Sequence, residues 1–129
     1  MATVNARPLL LLVEDYADAR EMYVEFLSAS FEVVAAADAH AALEVLATQV
    51  PAVLITDFTL PGIDGCELIR RMRGKASTRG VPAILLSGHG GSDHERKARE
   101  AGCDLVLQKP CAPDALERSV SELINRPAG

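Results

Sequence analysis

In Leu9-Leu10-Leu11-Leu12-Val13-Glu14-Asp15, five consecutive apolar residues end abruptly on two acids. A strand with one wet face alternates apolar and polar residues, whereas a strand covered by helices on both faces reads as an unbroken apolar run. Residues 9–13 are of the second kind. Runs of the same character stand at 53–56 and 83–86, and shorter or more mixed ones at 31–36 and 105–107. In chain order the first, third and fourth, 9–13, 53–56 and 83–86, are expected to be the central strands. Helix-length segments separate them. Ala19, Met22, Tyr23, Phe26 and Leu27 recur at helical spacing and make one apolar stripe. Leu43, Leu46 and Ala47, then Leu68, Ile69 and Met72, then Leu116, Val120, Leu123 and Ile124 repeat the pattern, while the fourth helical segment, 93–101, is the most polar. Asp38 and Asp64 stand where they can cap the second and third helices, Gly102 where it can end the fourth, and Pro113 where it can open the fifth. Five β-α units in alternation predict an α/β fold with a five-stranded, parallel, doubly wound sheet and five helices, since right-handed crossovers are nearly obligatory.

Length and composition are consistent with this. A chain of 129 residues has the usual size of one domain, expected over 1–129 with a core of about 8–125 and no room for a separate output domain. Folding at that length buries roughly 65–70 % of the chain's surface, enough for a core without metal or disulfide staples. Hydrophobic residues at 49 % and charged residues at 24 % match an ordinary globular protein. A net charge of -5 supplies no broad positive field, so nucleic acid is not expected as a direct partner. No apolar run approaches the roughly 20 residues of a membrane span, and residues 1–8 lack a secretory apolar core, so the expected location is the cytoplasm. Cys66, Cys103 and Cys111 are odd in number and form no C-x-x-C pair, which fits reduced thiols packed as small apolar groups.

In open α/β sheets, ligands bind beyond the carboxyl ends of the strands. The residues there are Glu14 and Asp15 after the first strand, Asp57 after the third, Ser87 after the fourth, and Lys109, following Gln108, after the fifth. Helix capping does not account for all of them. Asp57 is followed by Phe58, Thr59, Leu60, Pro61 and Gly62, so the next helix begins too far away, and Lys109 only donates hydrogen bonds. Carboxylates about 4 Å apart repel by roughly 4 kcal/mol per pair at the effective dielectric of a protein surface. Three acids against one lysine leave net negative charge, which a hard divalent ion with oxygen ligands offsets: Mg2+, or alternatively Mn2+. A metal beside a carboxylate, a hydroxyl and a lysine suits phosphoryl transfer. Asp57 is then the nucleophile, Ser87 and Lys109 donate to phosphoryl oxygens, and the product is an acyl phosphate on Asp57.

Over about residues 8–125 the chain resembles the receiver domains of bacterial two-component response regulators, of the single-domain, chemotaxis-regulator-like kind. The resemblance rests on Leu12-Val13-Glu14-Asp15, on Asp57-Phe58-Thr59-Leu60-Pro61-Gly62-Ile63-Asp64-Gly65, on Leu86-Ser87-Gly88 and on Gln108-Lys109-Pro110, in this order and spacing. It implies a flavodoxin-like sheet of order 2-1-3-4-5. It also implies that Glu14, Asp15, Asp57 and the backbone carbonyl of Thr59 bind Mg2+, and that Asp57 accepts phosphate from a sensor histidine kinase or histidine phosphotransfer protein. A cis Lys109-Pro110 peptide is implied as well. The phosphoprotein would act in a phosphorelay through phosphorylation-dependent protein binding; it is not expected to be an enzyme beyond its own dephosphorylation. One position departs from the pattern. Receiver domains usually carry Tyr or Phe three residues before this lysine, and here it is Val106. A valine is too short to swing between buried and exposed places, so any signal has to pass through Ser87, the glycine-rich loop 88–91 and the fourth helix.

Two other functions share part of this chemistry. A haloacid-dehalogenase-like phosphohydrolase also forms an aspartyl phosphate, but its second acid would fall at Thr59 and no insertion is long enough to cap a substrate. A receiver-like interaction module that works without phosphorylation is the other. His89 either borders the site or is a solvated loop histidine, and His89 with His94 is not expected to bind zinc. Cys111, close to Lys109, reads as packing rather than redox chemistry. Arg70, Arg71 and Arg73 read as favourable charge at the end of the third helix rather than as an anion site.

Overall fold

A computed structural model describes residues 7–88 and 92–126. The elements run β1 (Leu9–Val13), α1 (Ala17–Leu27), β2 (Glu32–Ala36), α2 (Ala39–Leu46), β3 (Val53–Asp57), α3 (Gly65–Arg73), β4 (Ala83–Ser87), α4 (Ser92–Ala101), β5 (Leu105–Gln108) and α5 (Pro113–Ile124). All four strand pairings are parallel, and the sheet order is β2-β1-β3-β4-β5. The strand order therefore reverses between β1 and β3, with β2 added on one side and β3 to β5 on the other, which opens a crevice at their carboxyl ends.

The unbroken apolar runs follow from a core on both faces. Leu11, Val13, Leu54 and Leu85 point to one side, where α2, α3 and α4 supply Leu46, Leu68, Ile69, Met72 and Ala98. Leu10, Leu12, Ile55, Ile84 and Leu86 point to the other, where α1 and α5 supply Tyr23, Leu27, Leu116 and Val120. β1, β3 and β4 are fully buried apart from the half-buried first residue of β1, so no position in them tolerates solvent.

The strand ends differ by one residue from the apolar runs. β3 includes Asp57, β4 includes Ser87 and β5 includes Gln108, because ladder bonding depends on the backbone and continues through Asp57–Leu86 and Ser87–Gln108 pairs. β2 starts at Glu32, and Phe31 precedes it as a buried anchor. The helix signals behave as their chemistry predicts. Asp38 accepts from the Ala41 amide at 2.8 Å and Asp64 from the Glu67 amide at 2.9 Å. Gly102, at φ +102°, closes α4: its amide donates to the Arg99 carbonyl and that of Cys103 to the Ala98 carbonyl, the paired bonds of a left-handed helix terminus. Pro113 opens α5.

Three expectations need correction. Only Tyr23 and Leu27 of the α1 stripe are buried; Met22 and Phe26 are 41 % and 38 % exposed, because the face that meets the sheet is centred on positions 19, 23 and 27. Ala47 lies beyond the last turn of α2 and is exposed. Arg73 is not simply a charge at the end of α3. Arg70 and Arg71 pair with Glu67, but Arg73 reaches across the fold to the carbonyls of Gly102 and Arg79, to Val81, and to Asp104 at 3.0 Å. Asp104 in turn accepts from the Ala83 amide at 2.8 Å, so one ion pair ties the end of α3 to the start of β4 and the turn before β5. The three thiols are unpaired, with Cys66 buried and the others half-buried. Among the described residues no helix is long and apolar enough to cross a membrane.

Candidate functional site

The crevice between β1 and β3 is where the acids converge. Glu14 follows β1 directly, and its amide continues the ladder to the Ala36 carbonyl at 3.0 Å. Its carboxylate is buried with both oxygens engaged, Oε2 by the Tyr16 amide at 3.1 Å and Oε1 by Lys109 Nζ at 3.2 Å. Arg20, on the first turns of α1, donates to the Glu14 carbonyl at 2.9 Å and fixes the turn that presents the next residue, Asp15, to solvent. Asp57 ends β3, its side chain only 4 % exposed. One carboxylate oxygen from each of Glu14, Asp15 and Asp57 lies within 4.8 Å of the others. Thr59, Gly88 and Lys109 line the same cleft.

Lys109 Nζ stands 2.9 Å from Asp57 Oδ1, but the ion pair is not aligned as a hydrogen bond, and this buried oxygen accepts none. Burial pushes the Asp57 carboxyl up to about 7, the neighbouring Glu14 adds to the rise, and the Lys109 ammonium pulls the other way. Burial works against the Lys109 charge too, yet the Asp57 and Glu14 carboxylates outweigh it and lift its pKa above the ordinary lysine value. A single ammonium thus serves two buried carboxylates while a third acid waits at the rim. The site is short of positive charge and has a buried oxygen that accepts no hydrogen bond, features that suit an oxygen-seeking cation and an incoming anionic group that the cation and Lys109 share.

The position of Asp57 is set from behind by α3. The Gly65 amide donates to the Phe58 carbonyl at 2.9 Å, and a Cβ at residue 65 would lie 2.1 Å from the Asp57 carbonyl oxygen. Only glycine lets the helix start this close to the strand end. The motif that ends at Gly65 is visible in the sequence, but this contact is tertiary and was not.

Ser87 ends β4, one strand over from Asp57, and is buried. Its hydroxyl lies 3.3 Å from Nδ1 of His94, on the first turns of α4. The His94 ring also stacks on Phe58, with centroids 4.2 Å apart and planes 4° from parallel. His94 is therefore a neighbour of two residues flanking the acids, and nothing in its own helix, otherwise polar, signals this. His89 lies outside the described residues, as do Gly90 and Gly91 of the loop. Tyr23 donates to the Cys111 carbonyl at 2.7 Å, and burial raises the Cys111 thiol above its ordinary value, which leaves it protonated and packed.

The profile of the family described as response regulator receiver domain matches residues 10–121. The chain belongs to this family. Response regulator Rre1 of Synechocystis sp. is 36 % identical over 124 residues, which cover 94 % of this chain and 54 % of Rre1. The receiver domain thus spans about half the length of the curated relatives it matches. A solved putative response regulator from Chloroflexus aurantiacus superposes with a TM-score of 0.87 at 34 % identity, covering 93 % of this chain and 99 % of that one. The receiver domain of a Pseudomonas aeruginosa sensor histidine kinase, with a magnesium ion coordinated in its active-site cleft, gives 0.85 at 27 % identity over 92 % and 98 % of the two chains. The sheet order 2-1-3-4-5 with five helices is that of the receiver fold. The Lys109-Pro110 peptide is cis, and Val106 sits half-buried opposite Leu85 where receivers usually carry an aromatic ring.

Proposed function

We propose that this receiver domain is a phosphoryl acceptor, taking the group on Asp57 from the phosphohistidine of a histidine kinase or histidine phosphotransfer protein and signalling by phosphorylation-dependent binding to a target protein. The observation that carries the reading is the buried Asp57 carboxylate, one oxygen of which accepts no hydrogen bond, faced by one lysine and two further acids. A carboxylate oxygen of Asp57 attacks phosphorus, and the bond from phosphorus to the donor imidazole nitrogen breaks with its electron pair leaving on that nitrogen. The Lys109 ammonium donates to a phosphoryl oxygen and balances the charge gathering there. The Ser87 hydroxyl turns to donate to another. Mg2+, or Mn2+, fits the donor set of Glu14, Asp15 and Asp57 with the Thr59 carbonyl, and when bound would supply positive charge that keeps Asp57 ionised and offsets that of the phosphoryl group. Catalysis is limited to loss of the domain's own phosphoryl group, and the setting is the cytoplasm.

Incubation with Mg2+ and acetyl phosphate, read by intact mass, tests this. One phosphoryl group is expected on the wild type, with none in excess chelator and none on Asp57→Asn. Full labelling in chelator, or of the variant, overturns the assignment; no labelling under any divalent ion makes the domain an interaction module that works without phosphorylation.

A further inference from the structure

With Val106 at the position of the usual ring, strand β5 offers no aromatic side chain to report a change in the cleft. Another ring is poised closer. Phe58 follows Asp57 directly, is held by its amide to the Leu86 carbonyl at 2.8 Å, and stacks on His94. Ser87, at the end of the neighbouring strand, meets Nδ1 of the same imidazole. One side chain of α4 therefore touches both segments that flank the candidate acceptor.

We propose that His94 is the positioning residue through which a phosphoryl group on Asp57 is communicated to α4, with the Ser87 hydroxyl as the link; this rests on the reading of Asp57 as acceptor. A serine hydroxyl has one proton to give. A phosphoryl oxygen carries charge, and a bond to it is roughly twice as strong as one to a neutral group, so the proton turns to the phosphoryl group when it arrives. Where Nδ1 accepts from Ser87, the imidazole then loses that bond. Where Nδ1 donates, the two bonds join in one chain that draws the ring toward the cleft. In both tautomers the bonding of His94 changes with the state of Asp57, while the stack on Phe58 transmits any shift of residue 58 directly. The helix that carries His94 is suited to respond. Of its ten residues only Ala98 and Ala101 are buried, so few apolar contacts hold α4 in place.

The test uses the full chain labelled with nitrogen-15 in its histidines, with Mg2+ and beryllofluoride as the phosphoryl mimic. Fluorine-19 resonances report whether the mimic binds, the imidazole nitrogen resonances report His94, and amide hydrogen exchange reports residues 92–101. His94 is assigned through its ring contacts with Phe58, and His40, exposed on α2 beside Glu44, is the internal control. The expected result is a bound fluorine signal, a shifted His94 Nδ1 resonance, an unmoved His40 and altered exchange in α4. His94→Phe keeps a ring for the stack and removes the nitrogen, so it should bind the mimic and lose most of the α4 exchange change. Bound mimic with an unmoved His94 resonance, or an α4 response unchanged in His94→Phe, overturns the proposal and leaves Asp57 as acceptor. Absence of bound fluoride in the wild type overturns the acceptor reading itself, and the link with it.

Discussion

Replacing Asp57 by Asn removes a buried charge while nearly keeping its shape, and the structure sets both the sign and the size of the effect. The Asp57 carboxyl, ordinarily at 3.8, stands at about 7 in the fold. A carboxyl displaced that far costs the native state about 4 kcal/mol once it is fully ionised. Asparagine avoids that cost but buries an amide whose own hydrogen bonds are incompletely met, a loss of about 1–3 kcal/mol. The net gain is about 1–3 kcal/mol, which for a domain of this size raises the melting temperature by roughly 4–12 °C. The pH dependence follows from the direction of the displacement. Because the folded carboxyl is raised, the native state binds this proton more tightly than the unfolded chain does. Wild-type stability is therefore unaffected by Asp57 below about pH 4, falls as pH rises from there, and carries the full penalty above about 7. Thermal melts of both proteins at low ionic strength in chelator, from pH 4 to 8, read the result. The variant should melt higher at pH 8 and, with the wild-type penalty almost gone and only the amide cost left, fall below wild type near pH 4. Equal melting temperatures at pH 8, or a lead that grows on acidification, would refute the reasoning that Asp57 is a strained, buried acid.

Two other substitutions probe the frame around the site. Gly65→Ala places a methyl against the Asp57 carbonyl, where the backbone must move, and should cost about 1–3 kcal/mol in urea unfolding and slow phosphorylation of Asp57 with the fold retained. An unaltered phosphorylation rate would mean that α3 does not set the position of Asp57. Arg73→Ala takes from Asp104 the nearer of its two arginine partners, leaving Arg126 at 3.4 Å, and frees the Gly102 and Arg79 carbonyls, and should cost about 1–3 kcal/mol in the same assay; a loss below about 0.5 kcal/mol would make the pair an incidental surface contact.

Much of the fold and of the acid cluster is legible in the sequence because one physical cause writes both. A strand buried on two faces must be apolar throughout, so the first polar residue after it marks the sheet edge, and Glu14, Asp57 and Ser87 are each that residue or its neighbour. Capping by Asp38 and Asp64 is legible for a similar reason, since the bond spans three residues and needs no knowledge of the rest of the chain. What the sequence hides is set by packing. The stripe of α1 includes Met22 and Phe26 until the helix is seated, when only the face through Tyr23 and Leu27 is covered. Gly65, Arg73 and His94 act on residues brought near by the sheet rather than by spacing: the Asp57 carbonyl, Asp104, and the pair of Phe58 and Ser87.

The most direct measurement is the site of modification itself. An acyl phosphate, unlike a phosphate ester or a phosphohistidine, is reduced by borohydride at the carboxyl carbon, so an aspartyl phosphate becomes homoserine and keeps a permanent record of its position. Treatment with Mg2+ and acetyl phosphate, reduction, and peptide mass mapping should show conversion at residue 57 and leave Glu14 and Asp15 intact. Conversion at another carboxylate, or a phosphate that survives reduction on Ser87 or His94, would contradict Asp57 as the acceptor.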